Sequence, residues 1–187
     1  MIINKYPIKG LTGLVFCITS LILLHVIPYN KTYIWLCFLL GMTSICYHSA
    51  KAFNEYGLAS YKMKTTCLHV DCMCITALCG WFIICVLHDI YNHTLIPLSI
   101  VLIITCIATY FYPNIRLLVY GLCLCLVLKT CKCYLGVYWV LTLQVIAAWC
   151  YCVRGTSYFD GVLLWHTVQS LYVLQGGINI NSLVASI

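Results

Sequence analysis

Charged residues are scarce in this chain of 187 residues. Only 7% of the residues are Asp, Glu, Lys or Arg, and just four of them are acidic. Soluble domains carry about 25% charged residues, so this chain has too few charged side chains to form a water-facing surface. The ten basic residues are scattered along the chain, and the net charge of +6 therefore does not indicate a nucleic-acid-binding surface. We expect no nucleic-acid partner.

Polar linkers, low-complexity segments and internal repeats are also missing. Apolar spans with short connections account for almost the whole chain, so there is no room for a soluble domain. Hydrophobic residues make up 64% of the chain. A transmembrane helix needs about 20 apolar residues, with a range of about 17–25. Charge, Pro and Asn delimit seven apolar segments, of which the fifth is short for a span. The sequence predicts a single all-α domain, residues 1–187, folded as a bundle of seven transmembrane helices. The predicted spans are approximately 11–28, 32–50, 65–87, 94–112, 115–129, 134–153 and 157–175.

The sequence also predicts where the first and the last helix of this bundle end. The first apolar run, Leu11 to Ile27, is followed by Pro28-Tyr29-Asn30 and by no small-residue cleavage pattern. We therefore expect it to be a retained span and not a cleaved signal peptide. At the other end, Gly176-Gly177 is expected to end the last helix.

The basic residues predict the orientation of the bundle. One set of alternate loops contains seven Lys or Arg residues and the other contains three. The positive-inside rule then places the N-terminus in the cytosol and the C-terminus outside. The sequons Asn30-Lys31-Thr32 and Asn92-His93-Thr94 both fall in loops assigned to the outside, although these loops are tight. The cytosolic set is Lys5, Lys9, Lys51, Lys62, Lys64, Arg116 and Arg154, and the outer set is Lys31, Lys129 and Lys132.

The fifteen cysteines are mostly embedded in apolar runs. A buried cysteine behaves as a small hydrophobic residue, so packing is the expected role of most of them. The Cys72/Cys74 and Cys123/Cys125 pairs are separated by two positions, which places their side chains on different faces of a helix. Such pairs are poor metal chelates.

Three ionisable side chains within the predicted spans stand out: His48, Asp71 and His166. Each costs about 2.5–3.5 kcal/mol on insertion scales, which makes each a candidate functional residue. The predicted topology places all three in the cytosolic half, and Ser44 shares a helix face with His48. Two imidazoles and a carboxylate can hold zinc, which lowers the pKa of a bound water to about 7. The pattern predicts a zinc site of His48, Asp71 and His166, with the Ser44 hydroxyl near that water or a substrate oxygen.

A purely structural interpretation of these side chains remains open. Each histidine would then bond to a carbonyl of its own helix, and Asp71 would pair with a tyrosine on a neighbouring helix. His69 is two residues from Asp71 and so faces elsewhere on the same helix. His25, His88 and His93 lie near the outer ends of spans, and we expect no site role for them.

These residues resemble the CREST superfamily of seven-span membrane proteins. That superfamily contains the alkaline ceramidases, the adiponectin and progestin receptors, and myomaker with its relatives. Its hallmark is S-x-x-x-H in the second span, Asp in the third and H-x-x-x-H in the seventh. Here Ser44-Ile45-Cys46-Tyr47-His48 is similar to the S-x-x-Y-H of the myomaker branch. The gap of 23 residues from His48 to Asp71 also resembles that branch more than the ceramidases, in which it is shorter. The segment from Tyr158 to His166 resembles the second half of the last element.

The resemblance implies a zinc cofactor and hydrolysis of amide bonds in lipids. By family analogy, His48 and His166 would bind the zinc, while Ser44 and Asp71 would be catalytic residues that assist its water. One departure matters, because Val162 stands where the family has the first His of the last element. Asp71 or another group would then have to serve as the third zinc ligand, and Asp71 in that position would leave its assisting role.

The departure at Val162 favours a non-catalytic descendant that acts through membrane lipid or through partner membrane proteins. One alternative is an active zinc-dependent lipid amidase of the ceramidase type. A second alternative is an unrelated seven-span receptor-like protein. Against the receptor stand the short loops and the lack of Asp-Arg-Tyr-like and Asn-Pro-x-x-Tyr elements. The compact chain, rich in Cys, Ile, Tyr and Asn, also resembles small viral membrane proteins acquired from hosts.

Overall fold

Seven α-helices make up nearly all of the described chain in a computed structural model. The described residues are 11–28, 30–91, 94–130, 134–153 and 161–184, and no strand occurs among them. This confirms the all-α fold class and the number and order of the predicted helices. A 3-10 turn, Leu11–Gly13, precedes α1 (Leu14–Val26), α2 (Lys31–Glu55), α3 (Tyr61–Tyr91), α4 (Leu95–Phe111), α5 (Ile115–Thr130), α6 (Tyr134–Val153) and α7 (Gly161–Val184).

The last helix differs from its prediction. Residues 157–160 lie outside the described part of the chain, and α7 continues to Val184, beyond the two glycines expected to end it. A Cβ atom at Gly176 would lie 2.9 Å from the Tyr33 hydroxyl, and one at Gly177 would lie 2.5 Å from a methyl group of Leu23. These glycines therefore make room for side chains of α1 and α2 against α7, and they do not terminate the helix.

Helix α3 is the centre of the bundle, where it packs against α2, α4, α5 and α7. Helix α7 in turn packs against α1, α3 and α6. The apolar core joins these helices through fully buried side chains such as Leu23, Phe82 and Val127. The thiols of Cys37, Cys79 and Cys123 are free and belong to the same core, which is the packing role expected of an apolar cysteine.

Helices α2 and α7 meet through long side chains and not through close backbone packing. Near one end of the pair, the Tyr33 hydroxyl donates to the Val173 carbonyl at 2.9 Å. Towards the other end, Ser44 contacts His166. The space left between the two helices is closed by α1, α3, α5 and α6, and it forms the cavity described below.

Within the described segments, two helices are long and apolar enough to cross a membrane, Lys31–Glu55 and Tyr61–His88. Other helices are apolar but shorter, including Leu95–Phe111. The outer surface of the bundle is also apolar, and α4 alone exposes five isoleucines. These are Ile96, Ile100, Ile103, Ile104 and Ile107.

Candidate functional site

A cavity of about 760 Å³ lies inside the bundle between α2, α3, α5, α6 and α7. All four predicted site residues, Ser44, His48, Asp71 and His166, line it. Helices α2, α3 and α7 therefore bring these side chains to the wall of one cavity. Most of the remaining wall is apolar or aromatic, so the polar residues form a localised group on an apolar surface.

Ser44 and His166 form the best-defined contact of this group. The Ser44 Oγ atom lies 3.2 Å from Nε2 of His166, and the two side chains are 1% and 3% exposed. The ring of His48 stands edge-on to the ring of His166, with 5.0 Å between their centroids. The spacing of four residues on α2 therefore presents both Ser44 and His48 to the same imidazole.

Aromatic rings hold His166 in position. Phe16 of α1 meets the imidazole edge-on at 5.7 Å between ring centroids, and Trp165 lies at 4.9 Å. The ring also interacts with the backbone of Val162 one turn earlier. Its Nδ1 atom is buried and has no partner within hydrogen-bond geometry. The imidazole is thus fixed chiefly by ring packing and by Ser44.

Asp71 is buried on the α3 wall of the same cavity, where it is 8% exposed. The Thr43 hydroxyl lies 3.3 Å from Oδ1 of Asp71 and 3.1 Å from the carbonyl of Leu40. The hydrogen-bond partner of Asp71 is therefore a threonine on α2, and not the tyrosine that a purely structural role had led us to expect. Arg116, at the start of α5, also acts electrostatically on this carboxylate.

The described residues do not fit a zinc site with three protein ligands. No three His, Cys, Asp or Glu side chains gather as a metal-binding group in the described segments. His48 and His166 are adjacent, but Val162 occupies the wall one turn before His166. An alkyl side chain offers no metal ligand, and Nε2 of His166 is engaged by Ser44. The zinc site remains a prediction from the resemblance.

The sequence pattern did not indicate that several other polar residues line the cavity. Lys51 and Arg116 were assigned to membrane orientation, yet both line the cavity. Gln144 and Gln169 also line it, and their Oε1 atoms both contact the Tyr120 hydroxyl, with Gln169 at 3.1 Å. An amide inside an apolar run is the signal that could have revealed the two glutamines, because uncharged polar groups at membrane depth also need partners.

Comparisons with known proteins give no relative, since no protein-family model, curated protein or solved structure matches this chain. The resemblance to the CREST superfamily therefore depends on the residues quoted for it. The function is best inferred from the cavity itself.

Proposed function

We propose that this chain is a seven-span membrane protein of the CREST type that binds a membrane lipid in its internal cavity and does not hydrolyse it. The cavity carries this proposal. Its volume of about 760 Å³ lies within the range of about 300–1,000 Å³ typical of small-molecule sites. It combines a mostly apolar wall with a polar group at one end, which is the pattern that an amphiphile requires.

The composition and outer surface support the membrane setting. With 7% charged residues, the chain cannot present a solvated exterior, and large apolar side chains are exposed on most helices. Extended exposed apolar surface is typical of membrane contact. We infer that all seven helices cross the bilayer, with the shorter ones accommodated by local thinning of the membrane.

The distribution of side chains in the cavity suggests how a lipid would lie. Leu40, Ile75, Phe82 and other apolar residues line the part that would receive an acyl chain. The histidine end would receive the polar part of the molecule. In the predicted orientation this end belongs to the cytosolic half of the membrane, so the lipid would enter from the cytosolic leaflet.

Val162 is the reason to propose binding without hydrolysis. Zinc enzymes that activate water use three protein ligands and leave one position open. The wall has two imidazoles and, at the third position of the resemblance, an alkyl side chain. A lipid bound here would act by its presence, either on the membrane or on a partner membrane protein that contacts the bundle.

The test is lipid extracted with the purified chain. We expect mass spectrometry to find a stoichiometric lipid in the wild-type protein. Ile75→Trp should lose it because the indole would occupy the cavity that Ile75 lines. Ile104→Trp is the matched control, since Ile104 is 61% exposed on the outer surface of α4. Equal lipid content in the two variants would place the lipid on the exterior and refute the proposal.

An active zinc-dependent lipid amidase is the second candidate, and the adjacency of His48 and His166 at 5.0 Å favours it. Metal analysis distinguishes the two candidates. The non-catalytic proposal expects clearly less than one zinc per wild-type chain. One zinc per chain, together with hydrolysis of a fluorogenic ceramide that His48→Ala abolishes, would establish the amidase instead.

A further inference from the structure

A second polar group lines the cavity further along the helices. Tyr120 of α5, Gln144 of α6 and Gln169 of α7 converge there, with the Oε1 atoms of both glutamines close to the Tyr120 hydroxyl, whose one proton can be donated to only one of them. The Nε2 atom of Gln144 is buried and has no hydrogen-bond partner in the described structure. A buried amide donor without an acceptor is costly, and its placement on a ligand-sized cavity indicates that a ligand supplies the acceptor.

Two cations occupy the polar end of the same cavity. Lys51 lies one turn beyond His48 on α2, and Arg116 lies in the first turn of α5. One guanidinium N–H of Arg116 donates to the Pro113 carbonyl at 2.7 Å, which leaves the others for a ligand. The positive-inside rule explains why cations lie on this side of the bundle. It does not explain why they line the cavity.

The charge at this end is not neutralised within the described lining. Asp71 is the one carboxylate among those residues, and Arg116 acts on it electrostatically, so the three side chains together keep a net positive charge. Two cations against one carboxylate favour an anionic group. Arginine in particular binds phosphate oxygens through paired N–H donors.

The spacing between the two groups limits the ligand. Arg116 and Tyr120 are four residues apart on α5, which corresponds to a rise of about 6 Å along the helix. His166 and Gln169 are three residues apart on α7, or about 4.5 Å. The amide donor therefore lies about one helical turn from the cationic end. A glyceryl segment between a phosphate and an acyl carbonyl has a similar length.

We infer that the cavity selects an acyl phospholipid with an anionic phosphate. The phosphate binds at Lys51 and Arg116, an acyl carbonyl accepts a hydrogen bond from the Gln144 amide, and the chain beyond it occupies the apolar wall. This inference rests on the proposed lipid-binding function and specifies its ligand. No bond is made or broken.

The test compares defined ligands on the full chain purified in neutral detergent. We expect dioleoyl phosphatidic acid to bind about tenfold more tightly than dioleoylglycerol, which lacks the phosphate, and than the diether analogue of phosphatidic acid, which lacks the carbonyls. Inorganic phosphate should compete weakly. If phosphate alone bound as tightly as phosphatidic acid, the ligand would be a soluble anion and the inference would be overturned.

Two variants locate the preferences. Arg116→Gln should remove most of the preference for phosphatidic acid over dioleoylglycerol, while Lys62→Gln, an exposed residue outside the cavity, should retain it. Gln144→Met should remove the preference for ester over ether, while Gln175→Met should not, because Gln175 pairs with Asn179 away from the cavity lining. The ligand series on the wild-type chain decides the matter even where a variant fails to fold.

The outcomes separate the two proposals. A wild-type chain that binds no lipid in its cavity refutes both of them. A chain that binds dioleoylglycerol, the diether and phosphatidic acid equally well refutes this inference and leaves lipid binding intact. Loss of the phosphate preference in Lys62→Gln to the same degree as in Arg116→Gln would show a diffuse surface effect and would also overturn it.

Discussion

The Ser44 hydroxyl lies within hydrogen-bond distance of Nε2 of His166 inside the bundle, where both side chains are buried. Hydrogen bonds between transmembrane helices contribute about 0.6 kcal/mol on average and up to about 1.7 kcal/mol. This one joins α2 to α7, which have little other backbone contact. A polar pair of this kind fixes the relative position of two helices and also defines one end of the cavity between them.

Ser44→Ala should lower the stability of the bundle by about 1 kcal/mol, because it leaves the His166 Nε2 atom without its partner. Ser170→Ala is the matched control, since the Ser170 hydroxyl is equally buried but bonds to the Thr167 carbonyl of its own helix. Thermal unfolding in detergent measures both. Equal destabilisation by the two variants would contradict a stabilising hydrogen bond between α2 and α7 at Ser44.

Val162→His would introduce an imidazole one turn before His166, at the position where the CREST pattern has one. We expect this variant to bind about one zinc per chain, since three protein ligands are the usual set in catalytic zinc sites. Metal analysis by plasma mass spectrometry measures the gain. Adding His48→Ala should abolish it. If the double variant bound as much zinc as Val162→His, the metal would lie elsewhere and the assigned correspondence would be wrong.

At the scale of helices, the contact between α1 and α2 depends on glycine. A Cβ atom at Gly41 would lie 2.9 Å from the Cys17 nitrogen and 2.9 Å from the Gly13 carbonyl oxygen. These are backbone atoms, which cannot move as a flexible side chain can. Gly41 is three residues before Ser44, so a shift of α2 here would also disturb the polar end of the cavity.

Gly41→Ala should therefore destabilise the protein by about 1–3 kcal/mol, the usual cost of overpacking. Gly121 is also inside a helix, but a Cβ atom there would have nothing within 4 Å. Gly121→Ala should be neutral or stabilising by up to about 1 kcal/mol, because alanine is the better helix former. Denaturation in mixed micelles compares the two. Equal effects would mean that helix propensity outweighs packing between α1 and α2.

The helices were more predictable than their ends and connections. Long apolar runs bounded by charge and Pro fixed the positions of α4, α5 and α6 to within one residue. The end of α7 was not predictable, because Gly176 and Gly177 also serve close packing. Asn30 also has a role that the sequence did not predict. It belongs to a glycosylation sequon, but its side chain caps α2, accepts a hydrogen bond from Trp81 and donates one to Cys85.

For the whole molecule, the sequence grouped Asp71 with the two histidines, but it predicted neither their partners nor the two cations of the cavity. Depth along each helix follows from topology, so Asp71 and the two histidines could be grouped from span order alone. The rotation of each helix about its axis is set by packing, and it determined that Thr43 faces Asp71. The same rotation brought Lys51 and Arg116 to the cavity wall, where the sequence indicated membrane orientation alone.

The orientation of the bundle in the membrane determines which leaflet supplies lipid to the cavity. The loops assigned to the cytosol contain seven basic residues against three on the other side, so the positive-inside rule places the N-terminus in the cytosol. A glycosylation tag fused after Ile187 should be modified in microsomes, and the same tag fused before Met1 should not. A tag without its acceptor Asn is the control. Modification of the N-terminal tag alone would invert the bundle and move the histidine end of the cavity to the outer leaflet. The pool of lipids with access to that end would then change, because anionic phospholipids are concentrated in the cytosolic leaflet.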